Sequence, residues 1–245
     1  MRRNRPVRIA TWNLDRPSKN GKTTRAARQL EKIQETPADV WVLTETYSGF
    51  TLPGCRSVAS MTARASHDPS ESAAAVWVPE TWGLREVSRT GLSICAEVAP
   101  PDGLHRVLVY GTIIPWRDAP GGGPWEMHAM EAERQAAEWR SLREQFPDHV
   151  LCVAGDFNMT LHSDSGYGCA AGRRAVREGL ASAGLACVTA VDIRSPAFGE
   201  VGRDNIDHIC LDRRCVPSGP PVVWFERGSS DHNGVAVDFE VLTGA

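Results

Sequence analysis

Long apolar runs, paired cysteine motifs and an excess of basic charge are all missing from this 245-residue sequence. Residues 73–78 form one of its longest apolar runs, whereas a helix needs about 20 apolar residues to cross a bilayer. The basic amino terminus leads directly into a strand pattern and not into an apolar leader segment. We therefore expect no contact with a membrane and no secretion.

The seven cysteines include no Cys-x-x-Cys pair, and their number is odd. They are Cys55, Cys95, Cys152, Cys169, Cys187, Cys210 and Cys215. Such a set fits reduced thiols better than a disulfide framework, and it lacks the ligand spacing of a zinc site. The cysteines therefore predict a cytoplasmic protein with free thiols.

The 27 Lys and Arg residues are outnumbered by 30 Asp and Glu residues, which gives a net charge of −3. Because no strong positive field attracts the chain to nucleic acid, any contact with DNA or RNA must be local. The proportions of apolar residues (42%) and charged residues (23%) are ordinary for a globular protein. No linker, repeat or low-complexity tract divides the chain, so we expect one domain over residues 1–245. We also expect a monomer.

Short runs rich in Val and Ile, bounded by Pro, Gly, Asp or Ser, predict strands along the whole chain. They lie at residues 7–11, 38–43, 73–78, 92–98, 106–114, 149–154, 185–190, 205–211, 221–225 and 234–241. Helical periodicity appears at residues 22–35, 126–146 and 173–183, and the Gly- and Pro-rich residues 115–124 predict a long surface loop. So many strands favour two stacked sheets with helices outside, with one large mixed sheet as the alternative.

Polar side chains stand at the ends of several predicted strands, where a rigid sheet can hold them in a cleft. They are Asn13, Glu45, Asp156, Asn158, Asp207, Asp231 and His232. Asp156 and Asn158 are separated by one residue, so an extended segment points both to the same side. His208 follows Asp207 directly and should point away from it, so we interpret His208 as structural.

Four of these side chains are carboxylates, and they would repel one another if they met without a cation. They belong to Glu45, Asp156, Asp207 and Asp231. Oxygen ligands of this kind suit Mg²⁺, with Mn²⁺ as an alternative, and such a site leaves room for water and phosphate oxygens. The residues therefore predict hydrolysis of a phosphoester.

The polar motifs, taken in order, resemble those of the endonuclease/exonuclease/phosphatase superfamily from Arg8 to about Glu240. The motifs are Thr11-Trp12-Asn13-Leu14, Thr44-Glu45, Gly155-Asp156-Phe157-Asn158, Ile206-Asp207-His208-Ile209 and Ser230-Asp231-His232. The resemblance implies an α/β fold, namely a four-layer α/β sandwich in which helices flank two stacked mixed β-sheets. It also implies Mg²⁺-dependent hydrolysis of phosphodiesters or phosphomonoesters.

The resemblance further implies which residues hold the metal. Glu45 is the principal metal ligand, Asn13 stands beside it, and Asp231 lies near or on the metal. A cation in this position offsets the charge that develops when a phosphate is attacked.

The remaining motif residues take the catalytic roles that the resemblance implies. Asp156 orients or deprotonates the attacking water, and Asn158 holds a non-bridging phosphate oxygen. His232 contacts the phosphate, while Asp207 accepts a hydrogen bond from the His232 ring and fixes its tautomer. In-line attack on a phosphate needs such a positioned water and such donors.

One position departs from the family pattern. Relatives usually carry a Tyr or His two residues before a Pro in the strand ahead of the middle helix, where this sequence has Ile113 before Pro115. Either the role is vacant, or Tyr110, Thr112 or a loop residue supplies it. Tyr110 is a candidate substrate contact, although on a regular strand it faces the other way from Ile113.

Two further residues are candidate substrate contacts. Trp116 lies in the predicted loop just after the strand that borders the site, where its ring either stacks on a base or sugar or packs the loop onto the body. Asn205 lies two residues before Asp207.

The leading hypothesis is a Mg²⁺-dependent phosphodiesterase of nuclease type, acting on nucleic acid or a small phosphoester. One alternative is a phosphomonoesterase that acts on a small phosphorylated metabolite. The other is a catalytically weak binding module of the same fold, which Ile113 motivates.

Overall fold

Two mixed β-sheets lie at the centre of the computed structural model, which describes residues 6–17, 23–62, 68–101, 106–199, 201 and 203–242. The α-helices in this part of the chain are α1 (Thr24–Glu35), α2 (Glu126–Gln145) and α3 (Ala170–Ser182), and a short 3-10 helix spans Pro196–Phe198. The strands are β1 (Val7–Asn13), β2 (Val40–Tyr47), β3 (Cys55–Ala59), β4 (Glu71–Pro79), β5 (Gly83–Arg89), β6 (Ser93–Ala99), β7 (Val107–Ile113), β8 (Val150–Asp156), β9 (Leu185–Cys187), β10 (Asp207–Asp212), β11 (Cys215–Pro217), β12 (Val222–Trp224) and β13 (Gly234–Val241).

Each sheet contains one parallel pair of neighbouring strands among antiparallel ones. The first sheet has the order β11-β13-β1-β2-β4-β3, with β12 also pairing with β13, and β1 runs parallel to β2. The second sheet has the order β5-β6-β7-β8-β10-β9, and β7 runs parallel to β8. The carboxyl ends of two neighbouring strands therefore meet at one edge in each sheet.

Apolar side chains separate the structure into four layers. A core that includes Ile9, Val42, Val109 and Ile209 fills the space between the two sheets. A second core joins α2 and α3 to the outer face of the β5–β9 sheet, and a third joins α1 to the outer face of the other sheet. This arrangement confirms the expected sandwich and replaces the alternative of one large mixed sheet.

Three strands that the sequence did not predict, β3, β5 and β11, each lie at the end of a sheet. An edge strand pairs on one side only, and most residues of these strands are exposed or half-buried. They therefore lack the continuous apolar runs that reveal buried strands.

The helices fall close to the predicted bounds. α3 begins at Ala170, three residues before the expected start, because the side chain of Cys169 caps it by accepting a hydrogen bond from Gly172 N. The predicted start of the first helix at Lys22 lies outside the described residues. Within the described ranges, no helix is both long and apolar enough to cross a membrane.

Helix α1 connects two loops that come from opposite ends of the sequence. The Gln29 side-chain nitrogen, which is buried, donates to the carbonyls of Leu14 and Ser229, each at 2.7 Å. One turn earlier, Arg25 donates to the same two carbonyls at 3.1 Å and 2.7 Å. Because these carbonyls belong to the loops that follow Asn13 and precede His232, the helix fixes the spacing of those residues.

Replacing Gln29 by Ala should therefore destabilise the fold. The change leaves buried carbonyls short of a donor, and we expect the free energy of unfolding to fall by about 2 kcal/mol in urea titration. Gln34→Ala, at an exposed position of the same helix, should change it by less than about 0.5 kcal/mol. Equal effects of the two substitutions would contradict the connecting role of Gln29.

Candidate active site

The polar motifs meet where the parallel strands of both sheets end. Asn13 is opposite Thr44 at the ends of β1 and β2, and Ile113 is opposite Asp156 at the ends of β7 and β8. A cleft of about 630 Å³ opens there. The predicted residues that line it are Glu45, Asp156, Asn158, Asp231, His232 and Trp116.

The last residues of β8 fix the position of Asp156. Gly155 has a φ of +139°, and a Cβ there would lie 2.0 Å from the carbonyl oxygen of Thr112, so only glycine fits. Asp156 Oδ1 accepts from the backbone N–H of Asn158 at 2.8 Å. The Asn158 side-chain nitrogen donates to Asp156 Oδ2 at 2.8 Å and to the carbonyl of Ile114 at 3.0 Å. The carboxylate is therefore held from two sides.

Asn13 connects the two sheets across the cleft floor. Its side-chain nitrogen donates to Glu45 Oε1 at 3.2 Å and to Asp156 Oδ2 at 3.0 Å, while its oxygen accepts from Asp15 N at 2.8 Å. Glu45 itself has a φ of +50°, a left-handed conformation that is costly for a non-glycine residue and is typical of functional sites. In this geometry Asn13 positions two carboxylates.

Asp207 and His232 form a buried pair beside Asp156. Asp207 is directly opposite Asp156 in the antiparallel β8–β10 ladder, and its Oδ2 lies 2.6 Å from His232 Nδ1. The predicted hydrogen bond between Asp207 and the His232 ring is therefore present. Ser230 holds the His232 loop against β1, because its hydroxyl donates to the Asn13 carbonyl at 2.6 Å and accepts from His232 N at 3.0 Å.

Burial and charge shift the pKa values of this group in linked ways. Burial raises the pKa of Asp156 to about 7, with the negative charges of Asp207 and Glu45 adding to it and the charge of His232 opposing it. Burial alone would lower the pKa of His232, but the charges of Asp207 and Asp156 outweigh it and raise that pKa to about 9. His232 is thus a cation near neutral pH, and its proton balances part of the buried negative charge.

The two carboxylates of this group are candidate metal ligands, whereas the protonated ring of His232, bonded to Asp207, has no free lone pair for an ion. One ligand atom from each of Asp156, Asp207 and His232 lies within 4.8 Å of the other two. Asp207 Oδ1 is buried and finds no hydrogen-bond partner in the described part of the chain. Buried oxygen atoms with uncompensated charge fit a hard divalent cation.

A second acidic group lies on the other side of the cleft and already has a partner. The guanidinium of Arg16 lies 2.8 Å from Glu45 Oε2 and 2.9 Å from Glu71 Oε1. Arg16 therefore offsets the charge of Glu45, the expected principal metal ligand, whose role as a ligand stays a prediction. Asp231, largely exposed, lies 3.4 Å from the guanidinium of Arg203.

Sequence reasoning missed five polar residues that line the cleft, and these are Asp15, Arg16, Glu71, Tyr167 and Arg203. Glu71 carries a usable signal, because it lies two residues before the predicted strand 73–78. In the structure it pairs with Tyr47, two residues beyond Glu45. Tyr167 stands between two glycines in a loop after β8. The position of Tyr167 between two glycines does not by itself indicate that its side chain faces the cleft.

Two predicted substrate contacts do not reach the cleft. Tyr110 is buried on the opposite face of β7, where it packs edge-on against Trp139 and its hydroxyl bonds to Glu138. Asn205 is buried and donates to the carbonyl of Thr189 at 3.3 Å. Both side chains pack in the interior. The prediction that Tyr110 and Asn205 contact the substrate is therefore corrected. Trp116 lines the cleft and is half exposed.

His208 has the structural role that strand alternation predicts. It points to the helix side of β10, where Nε2 lies 2.9 Å from the carbonyl of Met159 and Nδ1 lies 3.2 Å from Thr189 Oγ1. It is buried there and contributes nothing to the cleft.

Comparison with known proteins decides the family. The sequence profile of the Endonuclease/Exonuclease/phosphatase family matches residues 10–232. The chain belongs to this family. Like other members of the endonuclease/exonuclease/phosphatase family, it is a phosphoric ester hydrolase.

Solved structures share the fold of this family member at low sequence identity. The endonuclease domain of TRAS1, a telomere-specific non-LTR retrotransposon, has a TM-score of 0.69 and 17% identity, over 97% of this chain and 100% of that one. The human Nocturnin catalytic domain has a TM-score of 0.68 and 16% identity, over 98% and 95%. The Bacteroides thetaiotaomicron mannosyl-6-phosphatase has a TM-score of 0.65 and 14% identity, over 96% and 99%. No curated protein sequence matches significantly.

The raised pKa of His232 can be measured directly in the metal-free protein. We expect its ring proton resonances to titrate with a pKa of about 9, and Asp207→Asn should lower that pKa by more than about one unit because burial then dominates. NMR titration in EDTA tests this, with His232→Gln used to assign the signals.

The raised pKa of His232 also determines how the stability of the metal-free fold depends on pH. Because the folded pKa of His232 exceeds its ordinary value of 6.5, the bound proton stabilises the metal-free fold fully below pH 6.5. That stabilisation is lost as the pH rises through about 9. An unshifted His232 titration in the wild type would contradict the buried pair.

Proposed function

We propose that the protein is a Mg²⁺-dependent phosphodiesterase of nuclease type that hydrolyses its substrate with an activated water. The observation that carries the proposal is the group of Asp156, Asp207 and His232, with one polar atom of each within 4.8 Å of the others, of which Asp156 and His232 line the cleft and Asp207 is buried behind them. A buried acid with a pKa near 7 beside a charged imidazole suits proton transfer at neutral pH.

Each of these residues has a definite task in the proposal. Asp156, fixed by Asn13 and Asn158, accepts a hydrogen bond from the attacking water and takes up its proton. Because Asp207 binds His232 Nδ1, the Nε2–H is left to face the phosphate and to stabilise its developing charge.

The residues present fit Mg²⁺, with Mn²⁺ as the alternative. Asp156, Glu45 and Asp231 line the cleft, and Asp207 lies directly opposite Asp156 on the neighbouring strand. When bound, the ion would polarise a phosphoryl oxygen and offset negative charge.

The shape of the cleft supports phosphomonoester hydrolysis as a second candidate function. The cations Arg16 and Arg203 that line the cleft are each paired with carboxylates, so within the described residues the cleft wall offers little unpaired positive charge to a long nucleic-acid strand. The shared fold of a mannosyl-6-phosphatase is compatible with a small substrate. A small phosphodiester satisfies both the cleft and the leading hypothesis.

The other predictions keep their status as proposals. The inter-sheet core is shared by strands from both ends of the chain, which supports a single domain over residues 1–245. The monomeric state and the cytoplasmic location remain proposals that rest on the sequence.

An activity screen tests the function. Wild-type protein is assayed with Mg²⁺ or Mn²⁺ on duplex, abasic and single-stranded DNA, RNA, a nitrophenyl phosphodiester and small phosphomonoesters. We expect diester cleavage that Asp156→Asn and His232→Ala each reduce at least about 100-fold, because each removes a proton-transfer or charge-stabilising group.

Asp164→Asn is the matched control, since this exposed carboxylate pairs with Arg177 away from the cleft. It should retain wild-type turnover. Full activity in Asp156→Asn and His232→Ala would refute the assignment. Phosphate release from monoesters without diester cleavage would select the second candidate function, and metal-dependent nucleotide binding without turnover would select a binding module.

Thermal unfolding tests the cation independently of turnover. Mn²⁺ should raise the Tm of the wild type because it binds the folded cleft. Asp156→Asn should reduce the increment that Mn²⁺ adds to the Tm, because it removes a negative charge that lines the cleft. The same Mn²⁺ increment in both proteins would exclude Asp156 from the metal site.

A further inference from the structure

Few of the polar groups around the cleft have a hydrogen atom to offer a phosphate. The side-chain nitrogen of Asn158 already donates to Asp156 and to Ile114, and that of Asn13 donates to Glu45 and Asp156. An amide nitrogen carries two hydrogens, so both groups are fully used. Asn158, the predicted phosphate contact, therefore holds Asp156 in this geometry.

Part of the cleft wall has no hydrogen-bonding side chain at all. Ile113, Ala73 and Leu92 line this part, and Ile113 occupies the position next to Asp156 on the neighbouring strand. Apart from the Nε2–H of His232, a phosphate beside Asp156 therefore depends on donors from other parts of the cleft.

Tyr167 is fixed in the cleft by contacts that leave its backbone little freedom. Its carbonyl accepts from Thr160 N at 2.8 Å, from Thr160 Oγ1 at 3.2 Å and from Arg173 at 3.1 Å. The glycines on either side, at positions 166 and 168, both have positive φ angles of +99° and +112°. A Cβ at either one would lie within 2.6 Å of Thr160 or Met159, so the loop requires both glycines.

The ring and hydroxyl of Tyr167 are also oriented. The ring meets Trp125 edge-on with centroids 5.2 Å apart. The backbone N–H of Arg117 faces the hydroxyl closely enough to lower its pKa, and the hydrogen of the hydroxyl is left for an acceptor. Burial raises the pKa of Tyr167, with the charge of Asp156 adding to it, so the hydroxyl stays protonated at neutral pH.

We propose that Tyr167 donates a hydrogen bond to a non-bridging oxygen of the bound phosphate, beside the apolar wall at Ile113. The inference rests on the proposed phosphoester substrate. In this proposal the Tyr167 hydroxyl is a neutral, rigid donor in a cleft whose side-chain amide hydrogens are already used. The loop between β8 and α3 then supplies a substrate contact. Such a donor costs little entropy on binding because its position is set beforehand.

The competing explanation is that Tyr167 only fastens the loop over residues 115–124 through Arg117 and Trp125. Tyr167→Phe and Trp125→Phe separate the two roles. The first keeps the ring and removes the hydroxyl, whereas the second loosens the same packing and leaves the hydroxyl in place.

The experiment measures the affinity for inorganic phosphate by calorimetry in Mg²⁺, together with kcat and KM for a nitrophenyl phosphodiester. We expect Tyr167→Phe to weaken phosphate binding about tenfold and to reduce kcat/KM by a similar factor, the usual effect of one lost hydrogen bond to a charged group. Trp125→Phe should lower the Tm but keep phosphate affinity within about twofold.

Three outcomes would each overturn the proposal. Tyr167→Phe could leave phosphate affinity unchanged, the two variants could weaken it equally, or the wild type could bind no phosphate. If the wild type hydrolyses none of the substrates, the proposed function fails, while the phosphate titration still decides the role of Tyr167.

Discussion

The electrostatic balance between two buried carboxylates and one imidazole governs this molecule. Asp156 and Asp207 face each other across a strand pair, a position where like charges repel strongly. The proton of His232 compensates part of this charge, and it does so only because its loop is tied to β1 through Ser230. The carboxyl group of Asp156 remains difficult to ionise, which gives the protein a proton acceptor suited to neutral pH and a reason to bind a cation.

The contacts that hold these charged groups in place come from several layers of the fold. Gly155 permits the close approach of β8 to β7, Asn13 extends from the first sheet to the second, and α1 fixes the loops on both sides. Few of these supports touch a substrate. The geometry of the cleft is therefore a property of the whole sandwich, and loops such as that of Tyr167 vary what the cleft accepts.

The sequence was informative where local chemistry sets the structure. Buried strands have continuous apolar runs, so the sandwich was predictable. Polar residues at the strand ends indicated where the cleft lies, and the catalytic and metal-binding roles of these residues stay predictions. Edge strands such as β5 were not, because solvent leaves them without such a pattern. Tyr110 was misassigned, although alternation correctly indicated that it faces away from Ile113. Arg16, Glu71 and Tyr167 escaped notice because their position depends on contacts between segments distant in sequence.

The contacts of α1 have a consequence for how the chain acquires its structure. Gln29 joins carbonyls 215 positions apart, and β1 completes its pairing only with β13. Contacts of such high sequence separation slow folding, since a long loop must close before they form. Asn13 at the end of β1 and His232 just before β13 therefore come together only once these two strands pair, so the cleft is complete only in the fully folded sheet.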